Sequence, residues 1–86
     1  MTTAISPDDR SEHFAVCVQL FGGITAFSRR LGIDERAIRR FINGERPVSA
    51  GLLEDTGKAL RLLAAEATKA QEEIAVLLSA DPSTKD

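Results

Sequence analysis

Apolar side chains recur along the chain at helical intervals and nowhere alternate as a strand would. Phe14, Val18 and Phe21 stand at i, i+4 and i+7, and Cys17 and Leu20 widen that stripe. Ser6-Pro7-Asp8-Asp9 before it reads as a helix start, with Ser6 as N-cap and Pro7 at the first helical position. Gly22-Gly23 ends this helix. A second, short helix is predicted from about Ile24 to Leu31, with Phe27 and Leu31 turned inward. Gly32 can then turn the chain sharply through positive φ, Ile33 plugs the turn, and Asp34 caps a third helix over about Glu35 to Asn43. Asn43-Gly44 and Pro47 stop it.

Ser49 can cap a fourth helical stretch. Leu53, Thr56, Leu60, Leu63, Ala67, Ala70, Ile74 and Leu77 then alternate in steps of three and four, a heptad-like seam broadened by Leu52, Ala59 and Leu78. Gly57 weakens this stretch by about 1 kcal/mol relative to Ala. One long helix or two helices with a subtle kink would both satisfy the pattern. The expected fold is all-α: one domain over residues 6–80, a bundle of four to five helices with an extended C-terminal helix and flexible ends at 1–5 and 81–86. Residues 53–63 of the seam are expected to pack on the core. The 64–79 segment is expected to be a dimerisation helix, with Ala67, Ala70, Ile74, Leu77 and Leu78 in the interface, because the preceding helices cannot cover so long an apolar face.

Charge changes the picture more than composition does. The 86-residue chain is −2 overall, which taken alone argues against nucleic acid. Residues 24–47, however, carry six Arg (29, 30, 36, 39, 40 and 46) against Asp34, Glu35 and Glu45, a local excess of +3. The flanking segments, 1–23 and 48–86, come to −2 and −3. Arginine suits bidentate contacts to phosphate and to guanine edges. On a wheel of about 100° per residue, Ala37, Ile38 and Phe41 of the third helix fall on one side. Glu35, Arg36, Arg39, Arg40 and Asn43 fall on the other. Arg and Asn are the side chains that pair bidentately with guanine and adenine in the major groove.

The stretch Gly23 to Pro47, GITAFSRRLGIDERAIRRFINGERP, resembles the xenobiotic-response-element family, the Cro and phage-repressor type of helix-turn-helix. The resemblance rests on small Ser28, Leu31-Gly32-Ile33 at the turn, Ile38 and Phe41 inside the second motif helix, and Asn43-Gly44 after it. It covers roughly residues 12–62, with residues 24–43 as the motif. It implies a sequence-specific regulator, most simply a repressor binding a palindromic operator on double-stranded DNA as a homodimer. It implies base contacts from Glu35, Arg36, Arg39, Arg40 and Asn43, with Arg36 and Arg40 foremost. Thr25, Arg29, Arg30 and Arg46 are the candidate phosphate contacts, which position without specifying sequence. The chain departs from the family where Ser28 replaces the commoner alanine and where Ile24 or Thr25 stands in place of a polar residue, often Gln. It also lacks the family's break after the fourth helix.

Little else in the sequence carries chemistry. His13 and Cys17 are the lone members of their types, and there is no paired metal-ligand set or phosphate-binding glycine loop. No enzyme, cofactor or metal is therefore expected. No apolar run reaches the roughly 18 residues of a membrane span, and the N-terminus does not read as a secretory signal, so a cytoplasmic, nucleoid-associated protein is the expectation. Phage, mobile-element and host settings all fit. Two other readings stay open: an antitoxin-like module that binds DNA and also a protein partner, such as a toxin or polymerase, and an architectural DNA-binding protein.

Overall fold

The computed structural model describes residues 7–80, which form four helices and no strand: α1 (Pro7–Leu20), α2 (Ile24–Leu31), α3 (Glu35–Ile42) and α4 (Ala50–Ala80). The expectations for Ser6 and for the ends at 1–5 and 81–86 lie outside the described residues. The fold is an all-α bundle with a long C-terminal helix, and α4 runs unbroken for 31 residues. Gly57 does not interrupt it. A single glycine costs a helix too little to end it, and half-buried neighbours Leu53 and Leu60 hold it on both sides.

Local chemistry ends and starts each element. After α1, the N–H groups of Phe21, Gly22 and Gly23 donate to the carbonyls of Val18 and Gln19 at 2.9–3.1 Å, so Phe21 lies just past the helix. Gly32 takes the left-handed conformation that ends α2, at φ 72°, and its N–H donates to the Ser28 carbonyl. Asp34 caps α3, its carboxylate accepting from the Arg36 N–H at 3.1 Å. Gly44, at φ 80°, lets the chain fold back so that the Glu45 and Arg46 N–H groups both reach the Arg40 carbonyl. Ser49 begins α4, its hydroxyl accepting from the Leu52 N–H at 3.1 Å.

The core is small and partly aromatic. Phe14, Val18, Phe27 and Ile38 are fully buried, and Val48 is nearly so. Phe14 is its hub. Its ring meets Phe27 of α2 edge-on at 5.3 Å between centroids and Phe41 of α3 at 5.7 Å, while Phe21 meets Phe27 at 5.2 Å. Such edge contacts add about 0.5–1.5 kcal/mol each to simple burial. Leu20 corrects the sequence reading. Expected on the apolar stripe, it is 62% exposed, because the turn at Phe21 brings that ring, rather than Leu20, over the core.

On α4, Thr56 is buried, with its hydroxyl donating to the Leu52 carbonyl at 2.8 Å. Leu53, Leu60 and Leu63 are half-buried. This first half of the helix packs on α1 and α2, as expected for residues 53–63. From residue 64 to residue 80 every position is exposed. No helix among the described residues is long and apolar enough to cross a membrane.

Candidate nucleic-acid interface

The unit formed by α2, the turn and α3 is closed at its corner by a reciprocal pair of bonds. The Ile33 N–H donates to the Ser28 carbonyl at 3.2 Å, and the Ser28 hydroxyl donates to the Ile33 carbonyl at 2.6 Å. Serine thus does something alanine could not: it satisfies a turn carbonyl that no helical N–H reaches. The Asp34 cap comes at once, so the start of α3 is fixed relative to α2 by three side-chain or backbone bonds within a short stretch of chain.

The two faces of α3 separate cleanly. Ile38 is fully buried, and Ala37, Phe41 and Ile42 are half-buried. Arg36, Arg39, Arg40 and Asn43 are all exposed polar side chains of the outer arc, and Glu35 is half-exposed. α3 packs on α1 and α2 and has no Cα within 8 Å of α4, so its outer face lies clear of the long helix.

The arginines differ in their engagements. Arg39 reaches back one turn to Glu35 at 3.4 Å, and Arg40 lies 4.0 Å from Glu45. Both pairs are more than a third exposed, where ion pairs contribute roughly 0–1 kcal/mol and a phosphate or guanine can displace them. Among the described residues no acid lies within 4.0 Å of the Arg36 or Arg29 guanidinium. Arg46 sits over the Phe41 ring at 5.3 Å, a cation–π contact that holds it beside the end of α3. Thr25 and Arg29 are exposed on α2.

Arg30 is placed differently from its neighbours. Its guanidinium donates to Glu66 of α4 at 2.8 Å and lies 5.8 Å from the Phe21 ring centroid. It ties α2 to α4. Reading the sequence missed this pairing, and missed Arg10 as well, which donates to the Val48 carbonyl at 3.0 Å and holds α1 against the segment between α3 and α4. These partners are 36 and 38 residues apart in sequence, and no local pattern signals such a bond.

Among the described residues no group of three His, Cys, Asp or Glu side chains could hold a metal ion. Burial pushes the Cys17 thiol up from its ordinary pKa, which keeps it protonated and a poor nucleophile. Two surface depressions, one beside Asp9, Glu12, His13 and Val16 and one beside Leu53, Glu54, Gly57, Lys58 and Arg61, are shallow and open.

The site therefore consists of one short helix, rigidly capped, presenting three arginines and an asparagine from a surface that carries no packing load. Compared with known protein families, curated proteins and solved structures, the chain has no match.

Proposed function

We propose that this chain is a sequence-specific DNA-binding transcriptional regulator that reads the major groove with α3. The observation that carries this reading is the division of α3: Ile38 and Phe41 anchor it while Arg36, Arg39, Arg40 and Asn43 project from the opposite side. Arginine and asparagine there match the donor and acceptor patterns of guanine and adenine edges. The fixed turn before α3 supplies the rigid mount that helix-turn-helix docking requires. Arg36 and Arg40 are the principal base-reading residues, with Arg39, Glu35 and Asn43 beside them. Thr25, Arg29 and Arg46 serve the phosphates. Arg30, engaged with Glu66, joins them only by giving up that ion pair.

The protein acts as a homodimer on a palindromic operator, its two reading helices entering successive major grooves about 34 Å apart. Repression by occluding polymerase is the simplest outcome. A second reading, an interaction module with a protein partner, draws on the exposed apolar residues of α4, among them Ile74, Leu77 and Leu78.

The test is DNA occupancy in cells by immunoprecipitation and sequencing, with an Arg36→Ala/Arg40→Ala control. A few sharp peaks sharing a palindrome, lost in the control, are expected. Broad enrichment that the control retains would point to architectural binding. Once an operator is known, Arg40→Ala is expected to cost about 1–3 kcal/mol on it and to relax preference at one base position. An equal loss on random DNA would make Arg40 a phosphate contact.

A further inference from the structure

The face of α4 that meets α1 and α2 does not stop where those helices stop. Its three-and-four spacing continues through Ala67, Ala70, Ile74 and Leu77. Ile74, Leu77 and Leu78 are 57, 67 and 58% exposed. A helix end of this length with no packing partner is marginal in water, and its apolar side chains call for a cover.

Resting on the dimeric reading above, we propose that this cover is the same segment of a second copy, lying antiparallel, with the two-fold axis passing near residue 72. The argument is one of size. Small side chains, Ala67 and Ala70, occupy the end of the seam nearest the bundle, and large ones, Ile74 and Leu77, occupy the far end. Reversal sets Ala67 opposite the second copy's Leu77, and Ala70 opposite the second copy's Ile74. Two-fold symmetry repeats both pairings, so every layer holds one small and one large side chain and the helices keep one spacing throughout.

A parallel pair matches Ala with Ala and Leu with Leu. Side chains at the contact set the distance between helices, so the two α4 helices would have to approach most closely beside their own bundles, where Arg30 already grips Glu66. They would then part where the large residues lie. Reversal also lays Leu78 along the second copy's Ala64, whereas a parallel pair turns it toward Glu73. The cost of reversal is Glu73 facing its own copy near the axis. Exposed like charges at such a rim are screened by salt and weak, while Ile74, Leu77 and Leu78 leave water on both copies. A foreign helix has no reason to carry the complement of this gradient; the segment carries it by reversal.

Two single-cysteine additions test the orientation, with the unmodified protein, whose Cys17 is buried, as background. In the antiparallel pair the two copies of residue 71 meet beside the axis. The two copies of residue 67 lie about 15 Å apart, beyond disulfide reach. Under mild oxidation Gln71→Cys is expected to convert mostly to covalent dimer while Ala67→Cys stays at background. The reverse result would establish a parallel pair and overturn the proposal. Sedimentation runs on the same samples: a monomer, or a dimer that neither cysteine links, overturns the seam as the interface. Specific DNA binding by such a protein would leave the reading function of α3 standing without this dimer.

Discussion

Phe14→Ala is expected to lower the free energy of unfolding by about 3–5 kcal/mol, measured by urea denaturation. Phe14 has no exposed surface, and its ring is the one that touches aromatic partners on both α2 and α3. Truncation removes two edge contacts and opens a void between helices whose caps and turns cannot close over it. Domains of this size hold about 5–15 kcal/mol in total, so the loss leaves a protein close to its unfolding threshold. α3 should be the first element to lose its position, because Phe41 loses its partner on α1. A loss of about 1 kcal/mol, at the low end for core truncations, would show that the helices collapse onto the vacancy and that the core is held elsewhere.

Ile74→Asp is expected to give a monomer by sedimentation and to weaken operator binding about 100-fold or more, because two half-sites bound by one dimer gain effective concentration that separate monomers lack. The bundle itself should stay folded, since Ile74 lies beyond the part of α4 that packs on α1 and α2. Retained dispersion of core methyl signals in an NMR spectrum would confirm that. A variant that remains dimeric would remove residues 67–78 from the interface.

The elements were legible because their boundaries are written in local chemistry. Positive φ at Gly32 and Gly44, the carboxylate of Asp34 and the hydroxyl of Ser49 act on backbone groups within a few residues, and the sequence places each where it is needed. The inward and outward faces of α3 were legible for the same reason, since helical periodicity alone separates Ile38 from Arg36. The side-chain engagements were not. Whether Arg30 faces solvent or Glu66 depends on how α2 and α4 pack, and the use of Arg10 to hold Val48 depends on where the chain returns after α3. Leu20 failed as a core residue because the stripe outlasts the helix: one turn of geometry beyond its end decides which side chain is covered. The unbroken course of α4 was one of two possibilities on sequence grounds: Gly57 costs the helix too little to end it, and the packing of Leu53 and Leu60 on either side holds it.

On α3, the positions that hold the fold and the positions proposed to read DNA share one short helix and its cap without overlapping. Substitutions at exposed sites away from caps and packing usually stay within about 0.5 kcal/mol. Arg39 and Arg40, and Arg36 beside them, are therefore free to drift, provided the replacement suits a helix. On the proposed reading of α3, lineages descended from this chain would acquire new target preferences in single steps, each about as stable as its ancestor, with no compensating change in the core.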